Sequence, residues 1–345
     1  MLRLPLLIYN NKFNLPSLPP PGTFNGKTVL ITGATGGLGF ATAAHFVNLG
    51  ASSVIITART AAKGEAAKAS LEAQTNTTGK DIIKVMELDM NALESTKSFA
   101  DKVTSETQAI DYVILNAGVL AVEFKQLDDG WEQSLQVNVL STALLAILLL
   151  PWMKTAGKGQ AHLVFVTSGY HTKVSVDEPA FPQKEILGYF NRKENFPSAA
   201  PGQPGMYGVS KLFEHYVVNE IVKLAMDSDG SPQVIVNPTC PGMVKSDLGR
   251  AHRTSFLMSL VVDIFNNVMT KSTKGGARSI VLAALTTPAE TGKYIRHYGT
   301  EEEYKQLAEK NITGPQGQKI QAEVWREVLD ILRNKYPKVK DIVLQ

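Results

Sequence analysis

The sequence predicts an α/β fold: a single doubly wound domain with a parallel sheet of about seven strands flanked by helices. Three observations predict it. Short, β-branched, nearly continuous apolar runs alternate with helical stretches. The first run leads directly into a glycine-rich turn. No boundary signal divides residues 27–298.

The runs are 28–32 (TVLIT), 53–57 (SVIIT), 82–87 (IIKVME), 112–115 (YVIL), 163–167 (LVFVT) and 233–236 (QVIV). A strand with one wet face alternates apolar and polar residues. These runs barely alternate, so they read as strands buried on both faces of a parallel sheet. Between them, 40–49, 61–74, 93–103, 131–150 and 206–227 are rich in Ala, Leu, Lys and Glu and read as helices. A late helix is predicted at 320–333. Strand–helix alternation means βαβ units with right-handed crossovers.

At 345 residues the chain would allow two domains, or one α/β domain of ~250 residues with additions. Apolar residues are 44% and charged residues 19%, which excludes a disordered or fibrous chain. Lys plus Arg is 35 and Asp plus Glu 32, a net charge of +3. That balance gives no case for nucleic acid or an anionic membrane as partner. One cysteine, Cys240, makes no internal disulfide and no thiolate zinc site, and fits a reducing compartment such as the cytoplasm. His171, His252 and His297 lack metal-ligand spacing, so no metal is inferred. The apolar stretch 4–9 contains Pro5, is too short to span a membrane and lacks a cleavage site. Pro16, Pro19, Pro20, Pro21 and Gly22 then read as an extended linker. The longest apolar run, 140–153, is interrupted by Pro151 and reads as a buried helix, not a firm membrane span.

After the first strand comes Thr32-Gly33-Ala34-Thr35-Gly36-Gly37-Leu38-Gly39. Glycines at 33, 37 and 39 suit a sharp turn, close approach of a pyrophosphate, and tight helix–strand packing. A phosphate there would sit at a helix N-terminus, where free N–H groups favour an anion. The second strand ends in Thr57-Ala58-Arg59-Thr60. No acidic residue is present to hold both ribose hydroxyls of NAD, whereas Arg59, with Lys63 near it, suits the 2′-phosphate of NADP(H). The competing reading of Arg59 is a solvated surface arginine. Asp89, after the third strand, is placed to accept from an adenine amino group, or to serve as a turn residue or N-cap.

Tyr207 and Lys211 stand four apart on one face of a predicted helix. A phenol titrates near pH 10, and a neighbouring ammonium stabilises phenolate, so such a tyrosine can exchange a proton with a carbonyl or alcohol oxygen. A nearby serine hydroxyl could hold the substrate oxygen.

With these motifs in this order, residues 27–298 resemble the short-chain dehydrogenase/reductase superfamily, which has a Rossmann-like fold. The flanks are similar to the retinol-dehydrogenase-like branch, in particular to fungal members that tailor secondary metabolites. The resemblance implies a cofactor turn at Gly33, Thr35, Gly37, Leu38 and Gly39, and an N-A-G element at Asn116, Ala117 and Gly118. It implies a catalytic set of Ser168, Tyr207, Lys211 and Asn138, the last supporting a water-linked proton relay. Lys211 would also hold the nicotinamide ribose. Pro241, Gly242 and Val244 would lie beside the nicotinamide, with Ser246 in place of the family's usual threonine. Cys240 reads as a small buried side chain. The cofactor implied is NADP (NADPH) and the reaction is ketone or aldehyde to alcohol.

The stretch 169–206 separates Ser168 from Tyr207 and is long and rich in Pro and aromatic residues. It reads as a substrate-facing flap. Residues of about 247–271 match the family's substrate lid, and the apolar pattern of 251–270 suits a hydrophobic small molecule such as a polyketide, terpenoid, steroid or retinoid. Packing against the core or a partner subunit, in a homodimer or homotetramer, is the competing reading. The division expected is a Pro-rich leader over 1–26, the main domain over 27–298 and a helical extension over 299–345. Two other functions compete with this one. A catalytically silent NADP-binding protein is disfavoured by the complete catalytic set. A sugar-nucleotide epimerase is disfavoured by the glycine spacing.

Overall fold

The computed structural model describes residues 4–198, 203–245 and 267–344. Six parallel strands form one sheet, in the order β3-β2-β1-β4-β5-β6. They are β1 (Thr28–Ile31), β2 (Ser53–Ala58), β3 (Ile83–Glu87), β4 (Tyr112–Leu115), β5 (His162–Val166) and β6 (Ile235–Thr239). Leu30 sits in register with Ile55 on one side and Val113 on the other. The order reverses between β1 and β4, the switch point where Rossmann sheets bind ligands beyond the strand carboxyl ends.

The continuous apolar runs have the expected cause. Val29 and Ile31 belong to one core and Leu30 to a second on the opposite face. Both faces are dry, so no position is left for polar alternation. The exception is β3 at the edge, where Ile83 and Met86 are buried while Lys84 and Glu87 are exposed. Charges there discourage pairing with another chain.

About seven strands are expected, and the described sheet has six. Residues 292–295 run beside β6, but the only parallel bridge there is Thr239 with Ile295. The Ile295 amide donates to the Pro238 carbonyl at 2.8 Å and the Cys240 amide to the Ile295 carbonyl at 3.0 Å. Pro238 has no N–H to donate next. The Asn237 Nδ2 instead donates to the Lys293 carbonyl at 2.9 Å, and the ladder stops.

The helices are α1 (Leu4–Lys12), α2 (Gly37–Asn48), α3 (Ala61–Thr75), α4 (Leu93–Glu106), α5 (Thr142–Ala156), α6 (Ile186–Phe190), α7 (Gly205–Leu224), α8 (Thr273–Ala283), α9 (Glu301–Ala308), α10 (Pro315–Lys335) and α11 (Pro337–Val343). Helices α2, α3 and α8 cover one face through Phe46, Leu71, Ile280 and Val281. Helices α4, α5, α7 and α10 cover the other through Phe99, Leu144, Phe213 and Val328. The residues after 298 thus share the main core.

The helix expected over 131–150 begins as a π-helix, Leu135–Ser141, and continues as α5 through Pro151 to Ala156. Among the described residues it is the one helix long and apolar enough to cross a membrane, and 89% of its apolar window is buried within the protein. It is a core helix. Burying each of its leucines contributes ~1.5–3 kcal/mol.

Helix α1 precedes the Pro-rich stretch. The described part of 169–206 is packed: Val176, Ile186 and Leu187 are fully buried. The Glu327 carboxylate of α10 accepts from the Ile186 and Leu187 amides at 2.7 and 2.8 Å, capping α6.

Candidate active site

The strand ends are tied together before any ligand is considered. Thr32 Oγ1 accepts from the Asn116 and Ala117 amides, both at 3.0 Å. Asn116 Nδ2 donates to the Thr32 carbonyl at 2.9 Å. The Gly33 amide donates to Thr57 Oγ1 at 3.1 Å. These bonds join β1, β4 and β2 at their carboxyl ends and open a cleft of about 970 Å³ beside them.

The glycine turn forms one wall. Gly33 has φ +66°, and a Cβ on it would lie 3.0 Å from the Ala117 Cα. A Cβ on Gly39 would lie 2.5 Å from Asn116 Nδ2 and 2.6 Å from the Gly33 carbonyl oxygen, so α2 rests directly on the strand end. Gly36 and Gly37 have open space where a side chain would stand. The first turn of α2 holds no acidic residue, and Gly36 at its N-cap supplies no side-chain cap. Its amides remain available to an anion, which fits a dinucleotide pyrophosphate.

At the end of β2, Arg59 and Lys63 are exposed and line the cleft. Arg59 has no carboxylate partner among the described residues. Asp89 lines the cleft too, but its Oδ1 accepts from the Asn91 amide at 3.0 Å and Asn91 Nδ2 at 2.7 Å. It is a turn residue on the cleft wall. Thr35, Leu38, Ala117, Gly118, Pro241, Gly242 and Val244 also line the cleft. Ser246 and most of the 247–271 lid lie outside the described residues.

Ser168, Tyr207 and Lys211 line the same cleft. Ser168 follows β5, and its side chain acts on the Tyr207 phenol to favour phenolate. Tyr207 and Lys211 are one turn apart on α7, with Nζ 6.0 Å from the phenol ring centroid. Burial pushes the Tyr207 phenol up, Lys211 and Ser168 pull it down, and the balance is a raised pKa. Burial pulls the Lys211 ammonium down, but Glu214 and Tyr207 more than restore it, so it is held above the usual value.

Asn138 does not line the cleft. It is fully buried in the π-helix. Its Oδ1 accepts from the Val119 amide, and its Nδ2 donates to the Val119 carbonyl and Ser210 Oγ, each at 2.9 Å. It fixes the loop after β4 to the helix carrying Tyr207 and Lys211. Cys240 is buried and lines the cleft. Its Sγ accepts from the Gly169 and Gly242 amides at 3.3 and 3.4 Å and from the Tyr298 hydroxyl at 2.8 Å.

Sequence reasoning missed three features. Residues 119–125 line the cleft, whereas none of the described residues of 169–206 does. Asn11 of α1 is bonded to Met243, beside Gly242. Glu214 Oε2 lies 2.7 Å from Lys211 Nζ. Only Glu214 carried a signal, an acid at i+3 from a lysine on one helix.

Residues 27–180 match the short chain dehydrogenase family. Over 333 residues the chain is 36% identical to the short-chain dehydrogenase/reductase ffsI of Aspergillus flavipes, covering 95% of this chain and 92% of that one. This chain belongs to the short-chain dehydrogenase/reductase family. A second fungal short-chain dehydrogenase/reductase, phmF of Phaeosphaeria nodorum, is 35% identical over 95% of this chain and 93% of its own. Among solved structures, the short chain dehydrogenase from Shigella flexneri superposes with a TM-score of 0.58 at 18% identity, over 81% of this chain and 94% of that one. That likeness is one of fold. As a short-chain dehydrogenase/reductase the protein is an oxidoreductase of a family that uses nicotinamide dinucleotides.

Proposed function

We propose that this protein is an NADP(H)-dependent oxidoreductase interconverting a ketone or aldehyde and an alcohol on a hydrophobic small molecule, in the manner of fungal metabolite-tailoring enzymes. One observation carries the reading. Ser168, Tyr207 and Lys211 share a single cleft with the glycine turn and with Arg59.

NADPH, when bound, supplies the hydride. Everything else is done by the chain. The amides of the glycine turn would hold the pyrophosphate, Arg59 and Lys63 the 2′-phosphate, and Asp89 the adenine end. Asn116, Ala117 and Gly118 would flank the nucleotide, and Pro241, Gly242 and Val244 the nicotinamide. The Ser168 hydroxyl orients the substrate carbonyl by donating to its oxygen. Tyr207 gives its proton to that oxygen in reduction and takes it back in oxidation. The Lys211 ammonium stabilises the phenolate left behind. Asn138 acts through position, since it holds both the β4 loop and α7. Leu120, Val122 and Phe124 line the cleft and support an apolar substrate.

The test is NADPH oxidation with a panel of ketones, comparing wild type with Tyr207→Phe. Reduction by wild type and its loss in the variant by ~10²-fold or more is the expected result. A variant as fast as wild type would show that Tyr207 is not the acid.

A further inference from the structure

Tyr207, Lys211 and Glu214 stand at i, i+4 and i+7 on α7, so three titratable groups run along one helix face. The first two are accounted for above. Glu214 is not. Its side chain is 1% exposed and its Oε2 lies 2.7 Å from Lys211 Nζ. Burying a carboxylate is costly unless it is paired, and its pairing here is with the lysine of the site itself.

Lys211 donates one N–H to the Val166 carbonyl at 2.9 Å. Glu214 meets the ammonium as an ion pair at 2.7 Å, and its Oε2 is buried with no hydrogen-bond partner among the described residues. Its action on the site is therefore electrostatic. It stands against the charge of the ammonium, whose field on Tyr207 would otherwise favour phenolate.

We propose that Glu214 is a positioning residue of this site that acts through Lys211: its buried carboxylate, paired with the ammonium at 2.7 Å, offsets the ammonium's charge and keeps Tyr207 a phenol, the proton-donating form. The inference rests on the reading of Tyr207 as the acid. Other groups face Tyr207 from neighbouring elements. Ser168 comes from the end of β5 and Cys240 from beyond β6. Tyr170 of the turn after Ser168 packs its ring 6.1 Å away. Lys211 and Ser168 favour phenolate, while burial, Glu214 and Cys240 oppose it. Burial pushes Glu214 up to about 7 against the pull of Lys211. The carboxylate is thus charged throughout the alkaline range in which the phenol titrates.

The experiment titrates Tyr207 by tyrosinate absorbance in the full-length protein, with the matching Tyr207→Phe protein subtracted. It needs no substrate, so it is separable from the ketone assay: a wild type that reduces no ketone defeats the proposed function and leaves this titration readable. Glu214→Gln keeps the shape and removes the charge. Its Tyr207 midpoint should fall by on the order of one pH unit. Glu214→Leu, which removes charge and polarity, should lower it as well, and decides the matter if the Gln variant does not fold. Glu214→Asp keeps the charge and should stay near wild type. With an active enzyme, the basic limb of carbonyl reduction should move down with the midpoint. An unmoved midpoint in the charge-removing variants, or an equal fall in Glu214→Asp, would overturn the proposal and leave Glu214 as a packing ion pair.

Discussion

Asn138 Nδ2 donates to Ser210 Oγ at 2.9 Å, joining the π-helix to the residue that precedes Lys211. The same side chain satisfies both main-chain groups of Val119. Asn138→Ala should therefore leave the partly buried Val119 main-chain groups without their side-chain partner and cost on the order of 1 kcal/mol. Because Tyr207 and Lys211 ride on the same helix, kcat should fall by ~10-fold or more with little change in cofactor KM. Denaturant unfolding and steady-state kinetics check the two halves. A stable variant with unchanged kcat would remove Asn138 from the site.

The proposed preference for NADP(H) rests on Arg59. This residue is exposed, lines the cleft and has no carboxylate partner among the described residues. A charge-assisted contact to a phosphate is worth ~1.5–3 kcal/mol. Arg59→Ala should then weaken NADPH binding by ~10–100-fold and leave NADH nearly unchanged. Calorimetric or fluorescence titration with both dinucleotides reads this directly. Equal losses for the two would mean that Arg59 does not meet the 2′-phosphate.

These two residues mark how far the sequence is legible. Arg59 and the glycine turn sit within a few positions of a strand end, where local order dictates spatial position. Tyr207 and Lys211 are legible for the same reason, since helical spacing alone puts them on one face. What is not legible depends on distant partners. The Pro238 defect that ends the sheet at β6 needs knowledge of where Lys293 lies. The packing of 169–206 depends on Glu327 and on Asn311, whose Nδ2 donates to the Val174 carbonyl at 3.1 Å. Prolines and aromatics made that stretch look like a loop, whereas a helix more than a hundred residues away holds it.

Asn11 belongs to the same class of hidden residues. Its Nδ2 donates to the Met243 and Met269 carbonyls at 3.0 and 3.1 Å, and its Oδ1 accepts from the Met243 amide at 3.0 Å. The N-terminal helix thereby anchors the loop that carries Gly242 and Val244 into the cleft. Asn11→Ala should raise the NADPH KM several-fold, with a smaller effect on kcat, because position rather than proton transfer is lost. An unaltered KM would show that the loop holds its shape without α1.

The last prediction concerns acid. His45, His162, His171, His215 and His297 all have lowered pKa values, chiefly from burial. His171 falls from 6.5 to about 4. Its ring is stacked on His215 at 4.7 Å, and both Nε2 atoms meet the Tyr304 hydroxyl, at 3.2 and 3.3 Å. Between the two pKa values the unfolded chain binds the proton and the folded one does not. Stability is therefore full above pH 6.5 and declines as pH falls toward 4. At ~1.4 kcal/mol per unit, His171 alone would contribute a loss of ~3 kcal/mol. Glu214, raised to about 7, acts in the opposite sense as it takes up a proton in the fold. Glu132 and Glu327, also raised by burial, act in the same sense as Glu214, but three carboxyls do not offset five imidazoles, so Tm should drop from pH 7 to 5. His171→Gln should start from a lower Tm, because it loses the Ser168 and Tyr304 contacts, yet fall less over that interval. An equal fall in the variant would mean that His171 does not carry the proton linkage.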